Sequence, residues 1–307
     1  MKILNWLLSL QERIDAKEIS TFAEWRDIFL HSASVWSDPI ERAIAGGFLS
    51  DRAGYAFAAG YESALTRLVP SLPPERIVSF CVTEEKGGHP AAIRSVLQKA
   101  QEEKTWLLNG SKKFATLAPE AGLFLVAASA GTSPDKKNII RMVLVDRSAP
   151  GIGIVPMADL PFVPEIPHGA LTFQDVPVHE QDILPDDGYV AYIKPFRTIE
   201  DLHVQAAVMG FIFRVACAYR WPQSIKELVI SLLVCMHALA GEDPRAPWVH
   251  IALGGLNRHV SSLYESAAPY WDRSDDATRM RWNRDKPLLA VAEKSRARRL
   301  EKAWLHY

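Results

Sequence analysis

Phe80-Cys81-Val82-Thr83-Glu84-Glu85-Lys86-Gly87-Gly88-His89 opens a series of short runs. It is continued by Leu108-Asn109-Gly110-Ser111-Lys112-Lys113-Phe114-Ala115-Thr116, by Leu144-Val145-Asp146-Arg147 with Pro150-Gly151-Ile152, and by Phe173-Gln174-Asp175-Val176-Pro177-Val178. From Arg76 to about Pro185 the chain keeps this texture: IVSFCV, TWLLNG, LFLVAAS, IIRMVLVD and GIGIVPM are separated by Gly, Pro, Asn and Asp. Apolar and β-branched runs of that length between turn formers predict strands. Residues 91–99 (AAIRSVLQK) depart from the pattern and read by propensity as helical or irregular.

On both sides the period changes. Trp6, Leu7, Leu10 and Ile14 share one helical spacing and Ala53, Phe57, Gly60 and Tyr61 another, until Pro70 and the pair Pro73-Pro74 end the pattern. Beyond the turn Pro185-Asp186-Asp187-Gly188, a stripe of Ile199, Leu202, Ala206, Met209 and Phe213 returns to the helical period. Residues 227–240 are apolar almost all round, which predicts a helix buried in a bundle or at a subunit contact. Residues 248–264 and 278–304 read as further helices. The organisation is α+β and multidomain: helical over 1–72, β-rich over 73–188, helical again over 189–307.

Composition narrows the function. The 307 residues correspond to roughly two domains of about 150, and 48% hydrophobic residues supply a substantial core. Thirty-five basic against 36 acidic residues leave a net charge of −1, too little to attract nucleic acid or anionic lipid. Cys81, Cys217 and Cys235 are widely spaced and form no CxxC, so neither a disulfide framework nor a zinc site is expected, and a reducing, cytoplasmic setting is. The opening MKILNWLLSLQERID reads as an amphipathic helix, not a secretory leader. The apolar stretch 228–240 falls short of the roughly 20 residues that span a bilayer, so no membrane span is expected. Residues 278–307 carry nine Lys or Arg against three Asp or Glu. Arg296, Arg298 and Arg299 there read as a solvated helix face with i, i+4 pairs in preference to a phosphate site. No phosphate loop, GxGxxG, HExxH or nucleophile elbow occurs.

In order and spacing, the four motifs that open this section resemble the middle domain of the acyl-CoA dehydrogenase family, over about residues 51–215 and faintly over the last 30. The resemblance implies a shortened N-terminal helical domain, a middle β-barrel domain and a C-terminal helical bundle, with FAD held between barrel and bundle. It implies that Thr83 hydrogen-bonds the flavin ring, that Phe114 packs against it and that Thr116 reaches its N5 edge. Phe80, Val82, Gly88 and His89 then complete the cofactor-binding strand and turn. A hydroxyl both donates and accepts, which suits a ring whose edge alternates carbonyls and nitrogens.

The chemistry implied is removal of the α-proton of an acyl thioester coupled to loss of the β-hydride. An α-C–H is a weak acid, so the base must be a partly desolvated glutamate. Some family members carry it in a Glu-Arg-Leu context on the first helix of the C-terminal domain, and Glu200-Asp201-Leu202 matches that arrangement. Thr198-Ile199-Glu200-Asp201 also reads as a helix N-terminus, where the dipole would stabilise the carboxylate and weaken it as a base. The family's late Tyr-Glu-Gly is missing, with only Tyr264-Glu265-Ser266 echoing it.

Two departures stand out. The family's Pro-Gly-Ala-Gly-Ser-Asp turn is replaced by Glu85-Lys86-Gly87-Gly88-His89-Pro90, where Lys86 or His89 could pair with phosphate, could fill the pocket, or, for His89, could be a surface turn residue. Tyr219-Arg220-Trp221-Pro222 stands where an Arg-X-X-Phe-Gly segment normally reaches a partner subunit's cofactor. The expected function is α,β-dehydrogenation of an acyl-CoA or other acyl thioester, with an external electron acceptor and a homo-oligomeric assembly. The alternatives are a catalytically degenerate homologue that assembles with a full-length dehydrogenase, and an acyl-binding protein without redox chemistry.

Overall fold

The computed structural model describes residues 1–11, 14 and 18–307. They divide into two compact units, one made of residues 1–72, 161–165 and 198–307, the other of residues 73–160 and 166–197.

The first unit is helical. Its N-terminal part comprises α1 (Lys2–Leu10), α2 (Phe22–Val35), α3 (Pro39–Leu49) and α4 (Ala53–Leu68). Starts are set locally: Thr21 caps α2 by accepting from the Glu24 amide, and Asp38 caps α3 from the position before Pro39. The C-terminal part comprises α5 (Lys194–Ala218, in this unit from Thr198), α6 (Gln223–Ala240), α7 (Pro247–Ala267), α8 (Asp276–Asp285) and α9 (Glu293–Trp304). The two parts share one core, in which Ile40, Ile44 and Phe48 of α3 join Leu202, Ala206, Met209 and Phe213 of α5. The expected stripe on α5 is therefore its buried face.

Small residues let these helices meet backbone to backbone. A Cβ on Gly47 would lie 1.8 Å from the Ala207 carbonyl oxygen, and one on Gly60 would lie 2.5 Å from the Val204 Cα. Trp271 and Trp282 stack at 4.2 Å and 7° between planes, with Trp221 edge-on to Trp271 at 5.1 Å.

The second unit is a curled seven-stranded sheet: β1 (Val78–Cys81), β2 (Val96–Lys99), β3 (Thr105–Thr116), β4 (Leu123–Thr132), β5 (Asn138–Asp146), β6 (Ile152–Pro156) and β7 (His168–His179). The order is β1-β4-β2-β3-β7-β6, with β5 on the other side of β4. β1 pairs in parallel with Leu123–Val126 and β2 with Ser129, so both lie along one edge of β4. The chain between them must fold over the gap, and that stretch is the first of the motifs. This architecture of helical, curled-sheet and helical segments is the one expected.

Three local expectations are corrected. Residues 91–99 hold one short 3-10 turn, Pro90–Ala92, and then strand β2, because Leu97 finds an inward site and the backbone pairs with β3, which outweighs helix propensity. Residues 278–304 are broken at Pro287, the 3-10 turn Lys286–Ala290 separating α8 from α9. The all-round apolar helix 227–240 buries only one face in this chain: Val229, Leu232, Leu233 and Met236 are inside, whereas Val234 and Cys235 are exposed. α6 and the longer helical stretch Gly188–Ala218 are both long and apolar enough to cross a membrane by length and composition. The latter has 83% of its apolar window buried within the protein, as a core helix does.

The close approach of α4 to α5 is testable. Gly60→Val should cost about 2 kcal/mol or more, since the new atoms meet backbone that cannot yield. Gly255→Ala, whose Cβ would meet only the Arg258 guanidinium at 3.9 Å, should stabilise by about 0.5–1 kcal/mol through helix propensity. Urea midpoints at unchanged slope decide both.

Candidate cofactor-facing site

The outer face of the sheet at the ends of β1 and β3 is fixed by one buried ion pair. Lys112 is fully buried in β3, and its ammonium lies 2.6 Å from Glu84 Oε1. The Glu84 carboxylate also accepts the backbone amides of Arg94 at 2.7 Å and Ser95 at 3.0 Å, and the Ser95 hydroxyl at 2.9 Å. Burial alone would raise the Glu84 pKa. The Lys112 ammonium and the two amides outweigh it and hold the carboxyl below its ordinary value. Lys112 is pushed down by its burial, with Glu84 opposing.

This pair folds residues 84–95 over the gap between β1 and β2 and presents their neighbours outward. The Thr83 carbonyl accepts the Lys113 amide at 2.8 Å, and Ser79 Oγ donates to the Thr116 carbonyl at 2.7 Å. These bonds tie the first motif, distant in sequence, to the stretch of β3 that carries Phe114 and Thr116. The ladder between β3 and β7 slips between Lys112 and Ala115, and at that slip Phe114 has φ +54° and a side chain 58% exposed. A left-handed, exposed aromatic residue in a strand costs about 1–3 kcal/mol and persists only where the surroundings enforce it.

The remaining motif residues take definite places. Phe80 packs its ring on Phe196 at 4.4 Å, and Val82 is buried. Gly88 folds back so that a Cβ there would come 3.3 Å from Val82 Cγ1 and 3.5 Å from Thr83 Oγ1. His89 is exposed and uses Nδ1 to accept the Ala91 amide at 3.3 Å, capping the 3-10 turn. Lys86 is exposed as well.

Other motif residues hold the sheet together. Asn109 and Asp175 bond reciprocally, the Asn109 amide nitrogen donating to Asp175 Oδ1 at 2.9 Å and the Asp175 backbone amide donating to Asn109 Oδ1 at 2.9 Å. Gly110 beside them has φ +137°, and a Cβ there would lie 2.5 Å from Ser95 Oγ. Ser148 and Arg76 hold the Asp146 carboxyl down at about 2, and Arg147 donates to the carbonyls of Ala118, Pro119 and Ala121.

Glu200 belongs to the helical unit, on α5, half-buried. The expectation that residues 198–201 begin a helix is corrected: α5 starts at Lys194, after a π-helical turn Gly188–Ile193 that Asp187 caps through the Tyr189 and Val190 amides. Glu200 is therefore beyond the first turn, where the dipole has little hold on a carboxylate. Its neighbour Asp201 is bonded to Arg296 at 3.2 Å and to Arg299. The basic C-terminal segment is thereby anchored in the helical unit through two of its arginines, where a solvated face was expected.

Residues 79–176 match the acyl-CoA dehydrogenase middle-domain family. The short-chain-specific acyl-CoA dehydrogenase of Megasphaera elsdenii is 28% identical over 121 residues, 39% of this chain and 31% of that protein. Matches to four curated relatives span between 20% and 38% of the relatives' own length. Butyryl-CoA dehydrogenase from Megasphaera elsdenii superposes with a TM-score of 0.71 at 16% identity, over 99% of this chain and 98% of that one. Residues 79–176 thus form an acyl-CoA dehydrogenase middle domain, and the chain shares its fold with acyl-CoA dehydrogenases. The FAD complex of PigA shares the fold, with a TM-score of 0.68 at 14% identity over 98% of this chain and 96% of that one.

Within this middle domain, the Glu84–Lys112 pair is not legible in the sequence: each residue stands in a motif, but nothing in the spacing tells that they meet. Lys112→Met should cost about 3–5 kcal/mol, because Glu84 keeps a buried charge without its partner. The double variant with Glu84→Gln should cost less than the two single losses added. Because Glu84's folded pKa lies below its unfolded value of 4.5, its contribution is present above that value and is lost as pH falls through the folded pKa. Acid unfolding followed by circular dichroism should be less steep in Glu84→Gln.

Proposed function

We propose that this chain is an acyl-CoA dehydrogenase-like flavoprotein that introduces an α,β double bond into an acyl thioester. The observation that carries the proposal is the strained, exposed Phe114 on the strand that bears Thr116, with the neighbouring Lys113 amide bonded to the Thr83 carbonyl. An exposed apolar ring on a stretch that also carries threonine hydroxyls suits a flat heteroaromatic ring with alternating polar edges. In this reading Thr83 and Thr116 bond the cofactor edge and Phe114 covers its face. Phe80, Val82 and Gly88 shape the strand and turn beneath it, and His89 stands at the turn's outer rim. Gly88 packs closely on Val82 and Thr83 at that turn.

FAD, when bound, supplies the two-electron acceptor for the hydride leaving the β-carbon. Glu200 takes the α-proton, so that the C–H pair becomes the C=C π bond. Its Glu200-Asp201-Leu202 context on α5, half-buried, supports this role. An external electron acceptor restores the cofactor, and a homo-oligomer or a partner dehydrogenase subunit completes the assembly.

The test is the visible absorption spectrum of the purified chain after incubation with FAD and removal of the excess. A retained flavin band that bleaches anaerobically with a short-chain acyl-CoA is the expected result, and a colourless protein would refute the proposal. Glu200→Gln should retain the flavin while slowing bleaching at least about a hundredfold, the usual scale for a lost general base.

A further inference from the structure

One residue beside Thr116 belongs to none of the motifs. His168 opens β7 directly opposite Thr116 in the β3/β7 ladder. Its Nδ1 lies 3.0 Å from the Ile166 carbonyl oxygen and its Nε2 lies 3.3 Å from Thr116 Oγ1. A carbonyl only accepts, so Nδ1 carries the ring proton. Burial lowers the imidazole pKa and keeps the ring neutral near pH 7, which leaves Nε2 as an acceptor. Thr116 has a single hydroxyl proton, and Nε2 takes it. The rest of Oγ1 presents lone pairs only.

We propose that His168 is a positioning residue that fixes the Thr116 hydroxyl as a hydrogen-bond acceptor toward the cofactor. This rests on the reading that Thr116 faces the flavin edge. The ring nitrogen there offers a lone pair when the flavin is oxidised and an N–H when it is reduced. An acceptor-only hydroxyl matches the reduced form and opposes the oxidised one, so it favours transfer of the hydride. The hydrogen is the hydride from the acyl β-carbon, carrying both electrons, and no further reductant enters.

The experiment measures the dissociation constants of oxidised FAD and of dithionite-reduced FAD for the wild-type chain, His168→Leu, His168→Gln and Thr116→Val. In His168→Leu the hydroxyl is released to donate, and the ratio of oxidised to reduced dissociation constants should fall about tenfold, which is about 30 mV in a two-electron midpoint potential. His168→Gln, whose side-chain carbonyl can again take the hydroxyl proton, should restore the ratio. In a Thr116→Val background His168→Leu should change nothing. FAD bound by His168→Leu with an unaltered ratio overturns the role of His168 while leaving the flavoprotein reading intact. Failure of the wild-type chain to bind FAD in either state overturns both. The ring's 15N resonances in the cofactor-free wild-type chain give a reading that needs no variant: Nδ1 protonated and Nε2 bare is expected, and the opposite tautomer overturns the proposal.

Discussion

The barrel unit depends on burying a lysine in the middle of a strand. Lys112 is completely enclosed, and an ammonium in that position is tolerable only if a carboxylate comes to it. Glu84 does so, and in coming it brings the chain over the gap that β1 and β2 leave along the edge of β4. Its second oxygen and remaining lone pairs satisfy the Arg94 and Ser95 amides, so the crossing has no orphaned backbone there. Thr83, adjacent to the pair on one side, and Phe114, two residues beyond it on the other, have no freedom to be elsewhere.

The motif residues then divide by role. Asn109 with Asp175, Asp146 with Arg76 and Ser148, and Arg147 on its three carbonyls are clasps at the surface of the sheet. Phe114 differs from them: it is exposed and held in a costly backbone conformation. In the helical unit the same economy appears as small residues. Gly47 and Gly60 bring α3 and α4 onto the backbone of α5, and Asp201 with Arg296 and Arg299 ties α9 to it. Glu200 is carried on the helix that all of these contacts fix.

Much of this was legible along the chain. The stripe from Ile199 to Phe213 is the buried face of α5, because a helix of that period has only one apolar side to hide. The four motifs mark strands and turns where strands and turns are found. Legibility failed where a partner distant in sequence decided the outcome. Residues 96–99 are a strand because β3 pairs with them, not because of their own propensity. Thr198 looked like a helix start because Ser, Thr and Asp cap helices, but Asp187 had already done so upstream.

By itself, the sequence determined the alternation of helical and β-rich segments, the motifs and their order, and the near-neutral charge, because these are local properties of spacing and residue type. Only the tertiary structure decided that Lys112 and Glu84 meet, that Phe114 is forced outward with positive φ, that His168 Nε2 faces the Thr116 hydroxyl, and that Glu200 lies beyond the first turn of α5. Each of those depends on which groups are brought together from afar and on how much water is left around them, and neither quantity is encoded at any single position.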